Sequence, residues 1–249
     1  MTFCIGIKVD QGLVALADTQ IVLGSERISK QKLAALYHDD DSLFTMTSGL
    51  RSIRDKAMIY LSEELKRQDE PLSRLFQVAN LFGNQLRRVR DEDGAALSVS
   101  GLKFNTNAII GGHFSEDDEP QLFYVYPEGN WIEAAADSPY FIIGRTTYGK
   151  PILDRLLRHD TPLKSAVALA LLAFDATRMS VTDVDSPIDV VVIATGNRHA
   201  TVHRFSDSDI ADATAWWSQT LSDALQSMPM SWADVLFRPS DSSSVDAKQ

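Results

Sequence analysis

The second residue of the chain is its first candidate for chemistry. Thr2 follows Met1, and because threonine is small, aminopeptidase removal of Met1 is expected. The exposed residue would carry both a hydroxyl nucleophile and an α-amino group, whose ordinary pKa of about 7.7–8.0 makes it a base near neutral pH. Many proteins begin Met-Thr, so this pair by itself identifies a candidate nucleophile and no more.

The residues after Thr2 predict a rigid setting for it. Residues 3–9 alternate between large apolar side chains on one face and smaller or charged ones on the other, which is the period of a β-strand. Asp10-Gln11-Gly12 is a tight-turn signal, and residues 13–17 predict a returning strand. A hairpin therefore begins directly after Thr2, which is expected to hold this residue in place.

Blocks of strands and pairs of helices alternate along the rest of the chain. The second helix is expected to stop near Asp91-Glu92-Asp93-Gly94. Such an order suits two sheets stacked face to face with a helix pair outside each, so periodicity predicts a layered α+β protein. The expected strands cover residues 33–37, 42–47, 108–110, 122–126, 140–143, 188–194 and 201–205, and the expected helices cover 50–65, 72–89, 150–158, 162–174 and 208–226.

Composition excludes several classes of function. The chain has 24 Lys plus Arg against 34 Asp plus Glu, a formal charge of −10, whereas binding to a phosphate backbone needs clustered cations. Its one cysteine, Cys4, excludes an internal disulfide and a cysteine-built metal site. Apolar stretches fall short of the roughly 20 residues that a spanning helix requires. We expect a soluble cytoplasmic protein with neither nucleic-acid nor membrane partners.

Several short motifs resemble those of a known family. The segment from Thr2 to Gly49 resembles the N-terminal part of proteasome β-type peptidases, which share a Thr-led strand, an Ala-Asp-Thr strand ending and a Met-x-x-Gly strand ending. These stand here as Thr2, Ala17-Asp18-Thr19 and Met46-Thr47-Ser48-Gly49, with a Lys32-Leu33 step between them. The likeness is greatest to the bacterial proteasome homologues called Anbu (ancestral β subunit), through Gly149–Arg155 and Pro187-Ile188-Asp189, and it extends to about Ala224.

The resemblance implies a fold and an activity. The fold would be the four-layer αββα sandwich of the N-terminal-nucleophile hydrolases, in a single peptidase domain over residues 2–226. Residues 227–249 would form a C-terminal extension, disordered in part because its end is rich in Ser and Pro. The activity would be threonine-type hydrolysis of peptides or unfolded proteins, without a cofactor, in a ring-like or helical homo-oligomer. Nothing in the chain identifies an ATPase partner.

The resemblance also implies roles for individual residues. Thr2 matches the nucleophile, Asp18 the buried carboxylate that holds the catalytic lysine, and Lys32 that lysine, whose charge favours deprotonation of groups beside it. Ser48 matches the residue whose backbone N–H stabilises the oxyanion, a contribution of about 2.7–4 kcal/mol. Asp175 matches the aspartate that orients the terminal amine.

Alternatives remain open at these positions. Lys30 is a rival to Lys32, and taken alone Lys32 reads as a solvated strand-edge residue and Asp18 as a turn carboxylate. Ser48-Gly49 also suits a plain strand-to-helix turn. The serines that accompany the amine-orienting positions of the family are missing: Thr146 and Ser180 are the nearest hydroxyls. These departures keep open a non-catalytic self-assembling scaffold of the same fold. An amidohydrolase acting on small amides, built on the same fold, is a further alternative.

Metal-binding patterns are weak. His113 with Glu116, Asp117 and Asp118 is interpreted as an acidic surface turn. Asp183, Asp185 and Asp189 lack the glycine and the terminal glutamate of a calcium loop, which leaves only a weak loop cation site as an alternative. The sequence therefore predicts neither a metal nor a cofactor.

Overall fold

The computed structural model of the chain describes residues 2–23, 26–29, 31–38, 41–68 and 72–237. The described residues up to Ile210 form one compact unit, and those from Ala211 onward form a second. None of the helices in these ranges combines the length and apolar character that a membrane crossing requires.

The elements follow the expected order of strand blocks and helix pairs. The strands are β1 Phe3–Val9, β2 Gly12–Asp18, β3 Gln20–Leu23, β4 Glu26–Ser29, β5 Leu33–His38, β6 Asp41–Gly49, β7 Thr106–His113, β8 Gln121–Val125, β9 Trp131–Glu133, β10 Tyr140–Gly144, β11 Ile188–Ala194 and β12 Thr201–Phe205. The helices are α1 Arg51–Arg67, α2 Leu75–Val99, α3 Lys150–Leu156, α4 Leu163–Arg178 and α5 Asp207–Gln226, followed by a 3₁₀ helix at Ser231–Phe237.

Two antiparallel five-stranded sheets form the centre of the first unit. The first sheet has the order β10-β1-β2-β11-β12, and the second has the order β5-β6-β7-β8-β9. β3 and β4 pair only with each other among the described strands. β1 lies between β2 and β10, so the strand that follows Thr2 is paired on both edges.

The alternation within the strands produces four layers. In β1, Phe3 and Ile5 join a core that also contains residues of α3 and α4, whereas Cys4 joins a core shared with the second sheet. That intersheet core contains Phe44 of β6 and Ile109 of β7. A third core packs the outer face of the second sheet against α1 and α2. The predicted αββα sandwich is therefore confirmed.

One predicted helix end is wrong. α2 does not stop near Gly94 but continues to Val99. A glycine inside an exposed helix costs only about 1 kcal/mol relative to alanine. Lys56 of α1 forms ion pairs with Glu92 and Asp93 of α2, at 2.6 and 2.9 Å, so the acidic residues that resembled a stop signal bind the neighbouring helix instead.

The second unit exposes large apolar side chains. Within it Ala233 is buried, but Trp216 and Trp232 are 62% and 64% exposed, and Leu225 and Phe237 are exposed as well. The unit begins within α5, before residue 226 where the peptidase domain was expected to end. The tail predicted to be disordered, residues 238–249, lies outside the described residues.

Candidate active site

The first hairpin brings Asp18 to the main chain beside Thr2. In the β1–β2 pair Cys4 lies opposite Ala17, so the start of β1 meets the end of β2, where Asp18 stands. The Phe3 backbone N–H donates a hydrogen bond to Asp18 Oδ1 at 2.8 Å. The hairpin that was predicted from alternation thus fixes the residue after Thr2 to a buried carboxylate.

Asp18 also holds Lys32. Lys32 Nζ lies 2.7 Å from Asp18 Oδ2, and the two side chains are 2% and 0% exposed. Burial raises the pKa of the Asp18 carboxyl, and the Lys32 ammonium opposes that rise. Since both oxygens of Asp18 are engaged, the lysine side chain is anchored at a defined place. Lys30, the rival lysine, lies outside the described residues.

Thr2, Lys32 and Ser48 line one cavity of about 480 Å³. Ser48 is half-buried near the end of β6, and Gly49 behind it has φ +122°, a backbone conformation that favours glycine. The sharp ending of β6 places the Ser48-Gly49 backbone at the cavity wall, directly before α1. Three of the five residues expected to form the site therefore share one space, and Asp18 is bound to one of them.

The turn after β10 holds Thr2 from the other side. Arg145 N–H donates to the Thr2 carbonyl oxygen at 2.8 Å. Gly144 has φ +90°, and a Cβ built on it would stand 1.8 Å from the same oxygen. Only glycine allows the two backbones to approach this closely.

Asp175 lies elsewhere. It is buried in α4, where its Oδ1 accepts a hydrogen bond from Arg178 Nε at 2.9 Å. Among the described residues, it is not one of those that line the cavity beside Thr2. Burying a carboxylate requires a partner, and Arg178 supplies it, so the observed contacts of Asp175 are those of an ion pair within the helix.

The structure connects a different aspartate to Thr2. Asp183 Oδ2 lies 3.2 Å from Arg145 Nη2, and the backbone of Arg145 binds the Thr2 carbonyl. Burial alone would raise the pKa of Asp183, but the hydrogen bond from Arg145 and the positive charge of that guanidinium oppose the rise. The carboxylate is therefore ionised near neutral pH.

The two hydroxyls considered as partners for the amine do not line the cavity within the described part of the chain. Thr146 lines a separate cavity of about 320 Å³ beside Tyr140. Ser180 is exposed and donates its hydroxyl to the Ala176 carbonyl at 2.8 Å.

Cys4 is a poor candidate for a nucleophile. It is fully buried in the core between the sheets, and burial raises the pKa of its thiol far above the ordinary value. A thiol that stays protonated is a poor nucleophile.

His113 and Asp117 were expected on a surface turn, but both are largely buried. His113 Nε2 lies 3.2 Å from the Asp117 carbonyl, while Asp117 Oδ2 accepts from the N–H groups of Leu75 and Phe114. These contacts tie the loop after β7 to the start of α2. In the described ranges, His, Cys, Asp and Glu side chains do not gather in threes as they do around a metal.

A two-sheet sandwich with a threonine at the head of its first strand, beside a buried Asp–Lys pair, is the architecture of a proteasome-type N-terminal-nucleophile fold. A family model described as "Proteasome subunit" matches residues 2–193. The chain belongs to the Anbu (ancestral β subunit) family of bacterial proteasome homologues.

Solved Anbu structures overlay closely on the chain. An Anbu (Gly-1) mutant from Hyphomicrobium sp. strain MC1 is 31% identical, with a TM-score of 0.84 over 92% of this chain and 98% of that chain. Anbu from Yersinia bercovieri is 26% identical, with a TM-score of 0.83 over 91% and 97%. A helical assembly of the Anbu complex from Pseudomonas aeruginosa is 27% identical, with a TM-score of 0.84 over 91% and 97%. A comparison with curated proteins finds no match.

Sequence reasoning missed Asp183, which is linked through Arg145 to the Thr2 backbone, and two arginines of the cavity wall. Asp183 precedes β11, which pairs with β2 so that Ile188 lies opposite Asp18. The neighbouring strand was predicted, but its pairing partner was not. Arg51 and Arg54, in the first turn of α1, also line the cavity. The sequence signal for them was their three-residue spacing directly after Ser48-Gly49. Residues three apart lie on one face of a helix, so both arginines could have been expected near the end of β6.

Proposed function

We propose that this protein is a threonine-type hydrolase that cleaves peptide bonds with Thr2 after Met1 is removed. One observation carries the proposal: Thr2 opens onto the same cavity as Ser48 and as Lys32, whose ammonium group Asp18 holds at 2.7 Å. A cation beside an amine and a hydroxyl lowers the pKa values of both, which favours a neutral amine base and an activated nucleophile.

The proposed reaction needs only groups of the chain and water. Thr2 Oγ attacks the substrate carbonyl while the Thr2 amine takes the hydroxyl proton, and the Ser48 backbone N–H stabilises the oxyanion. Collapse of the intermediate breaks the C–N bond, the leaving amine receives that proton, and an ester to Thr2 remains. Water, deprotonated by the same amine, then hydrolyses the ester and regenerates the hydroxyl.

We further propose that Asp183 takes the amine-orienting role first assigned to Asp175. Its carboxylate is linked through Arg145 to the Thr2 main chain, whereas the Asp175 carboxylate pairs with Arg178. An ionised carboxylate at this position favours a defined orientation of a nearby amine.

Self-association is part of the proposed function. One related structure is a helical assembly of an Anbu complex. The second unit of this chain exposes Trp216 and Trp232, and exposed aromatic side chains of this size are typical of interaction surfaces. We propose that copies of this chain associate into a ring-like or helical homo-oligomer in the cytoplasm, with peptides or unfolded chains as substrates.

A scaffold without turnover is the second candidate. It is favoured by the positions of Thr146 and Ser180, which leave the described cavity without the hydroxyls expected near the amine. An amidohydrolase for small amides would use the same nucleophile and would differ only in the substrates it accepts.

Intact mass and covalent labelling separate these functions. Intact mass is expected to show loss of Met1, and a β-lactone or epoxyketone probe is expected to label Thr2 in the natural protein but not in Thr2→Ala. A retained Met1 blocks the amine and contradicts the hydrolase. Labelling together with cleavage in a peptide library supports the peptidase. Labelling without any peptide cleavage favours small amides, and the absence of labelling favours the scaffold.

A further inference from the structure

Two arginines stand on the wall of the cavity beside Thr2. Arg51 and Arg54 occupy the first turn of α1 and line this cavity. An adjoining cavity of about 260 Å³ shares Lys32, Thr47 and Arg54 with it. Arg54 therefore borders both spaces, and its side chain is only 15% exposed. Arg54 and Thr2 thus line the same space.

One carboxylate serves both arginines. Asp55 Oδ1 accepts from Arg54 Nε and Nη2 at 2.9 and 2.6 Å, and Asp55 Oδ2 accepts from Arg51 Nε at 3.0 Å. Asp18 balances Lys32 in the same region. These five groups comprise three cations and two anions, so one positive charge is in excess. The contacts with Asp55 also restrict the orientation of the two guanidinium groups.

The other described residues that line this cavity carry no negative charge. Asn105 and Asn107, which are neutral, line the side of the cavity toward β7. The first turn of α1 contains no acidic residue, and Leu50 at its N-cap makes no side-chain hydrogen bond. The positive end of the helix therefore adds to the field of Arg51 and Arg54. The chain as a whole has a formal charge of −10, which makes this cationic wall a local exception.

We propose that the site prefers substrates with an acidic side chain, Glu or Asp, on the residue whose carbonyl Thr2 attacks. Arg54 would be the main specificity-determining residue and Arg51 the second cation. A carboxylate matches the planar fork of a guanidinium, and such charge-assisted pairs are among the stronger hydrogen bonds in proteins. This inference rests on the proposed hydrolase function and adds to it the class of substrate.

Two probes that differ in one group test the preference. The probes are tripeptide epoxyketones with either Glu or its neutral isostere Gln next to the electrophile, and the rate of Thr2 labelling is followed by intact mass. The natural protein is expected to react about tenfold faster with the Glu probe. Because the attraction is electrostatic, the ratio is expected to shrink when the salt concentration is raised.

Arginine variants test which residues cause the preference for the Glu probe. Arg54→Gln is expected to bring the ratio of the two rates to within about twofold, and Arg51→Gln to an intermediate ratio. Arg67→Gln is the matched control, because Arg67 lies on the same helix, 68% exposed, with Glu63 at 3.8 Å. This control is expected to keep the full ratio. Arg51 is 54% exposed, so its substitution provides a test even if the partly buried Arg54 proves necessary for folding.

Each outcome decides one of the two proposals. Equal rates with the Glu and Gln probes, or an unchanged ratio in both arginine variants, overturn the charge preference while labelling upholds the hydrolase. If neither probe labels Thr2, the proposed hydrolase function is overturned. Binding measured by calorimetry then decides whether the site prefers an acidic side chain. In that case Thr2→Ala must bind an acetylated tripeptide amide ending in Glu more tightly than one ending in Gln. Equal binding overturns the preference as well.

Discussion

At the scale of single residues, the Asp18–Lys32 pair links a buried cation to the main chain beside Thr2. The pair lies in a nearly solvent-free place, with side-chain exposures of 2% and 0%, and Asp18 uses its second oxygen to hold the Phe3 backbone N–H. One carboxylate thus positions both a cation and the main chain next to Thr2, the proposed nucleophile. Its removal is expected to affect stability and reactivity together.

Asp18→Asn is expected to lower the free energy of unfolding by about 3–5 kcal/mol, because it leaves the buried Lys32 charge without its carboxylate. Asparagine retains an acceptor for the Phe3 N–H, so the change isolates the charge. Adding Lys32→Met is expected to recover part of the loss, and urea unfolding of both single variants and the double variant measures this coupling. Additive losses would contradict the interaction.

Asp183 and Asp175 make different predictions for reactivity. Asp183→Asn is expected to slow probe labelling of Thr2 by about tenfold or more, because it removes the carboxylate linked through Arg145 to the Thr2 main chain. Asp175→Asn is the matched change, and it breaks the ion pair with Arg178. It is expected to lower the thermal stability and to slow labelling less than Asp183→Asn does. A larger labelling defect in the Asp175 variant would return the amine-orienting role to that residue.

At the scale of elements, the turn after β10 decides where the N-terminal strand lies. β10 is the outer neighbour of β1, and its last residue, Gly144, touches the Thr2 carbonyl. The positive φ of Gly144 permits the turn, and the missing side chain permits the contact. These two effects can be separated by experiment.

Gly144→Ala is expected to displace Thr2, because the new Cβ would stand 1.8 Å from its carbonyl oxygen. The expected loss in labelling rate is roughly tenfold to a hundredfold. Gly196→Ala is the control, since Gly196 has a similar φ of +81° with nothing within 4 Å of its added Cβ. Both changes are expected to cost about 1–2 kcal/mol of backbone strain. Equal labelling by the two variants would argue against a positioning role for Gly144.

The contact between α1 and α2 has a pH dependence with a defined sign. Lys56 and then Tyr60 donate to Glu92, and these bonds lower the pKa of Glu92 from 4.5 to about 2. Since the folded pKa lies below the unfolded one, the contribution to stability is present above pH 4.5 and is lost as the pH falls toward 2.

Glu92→Gln is therefore expected to be less stable than the natural protein at pH 7, with a difference that shrinks between pH 4.5 and 2. The group is partly exposed, so added salt is expected to reduce the effect. Chemical unfolding across this range measures the difference. Glu63→Gln is the control, because the ion pair of Glu63 with Arg67 is long, with 3.8 Å between Glu63 Oε2 and Arg67 Nη2. A difference for Glu92→Gln that does not change with pH would rule out this account.

At the scale of the whole molecule, the two units differ in what they expose. The first unit packs many of its large side chains in three cores, whereas the second leaves two tryptophans more than 60% exposed. Exposed apolar area of this kind is costly in water unless another surface covers it. Under the proposed self-association, a second copy of the chain would cover this area.

The double variant Trp216→Gln/Trp232→Gln is expected to shift the protein to smaller species. Sedimentation velocity at several protein concentrations measures the change, because association depends on concentration. Val99→Gln is the control: Val99 is 91% exposed at the end of α2, in the first unit. Unchanged sedimentation of the tryptophan variant, or an equal shift in the control, would show that these tryptophans do not mediate the association.

The sequence predicted local elements better than their ends. Strands such as β1 and β11 followed directly from alternation or from a continuous apolar run, and the helices followed from their apolar faces. The end of α2 was misjudged because Asp91-Glu92-Asp93-Gly94 is also a turn signal. Its actual role depends on Lys56, which is distant along the chain.

The sequence by itself determined the candidate nucleophile and the charge of the surface, because both depend on residue type. The resemblance of short motifs added Asp18, Lys32 and Ser48, whose predicted roles stay predictions until Thr2 is labelled. Only the tertiary structure decided which aspartate is linked to the Thr2 main chain and which arginines line its cavity. Such contacts form between strands and helices far apart in sequence, and side-chain spacing along one element carries no information about which element will pack beside it.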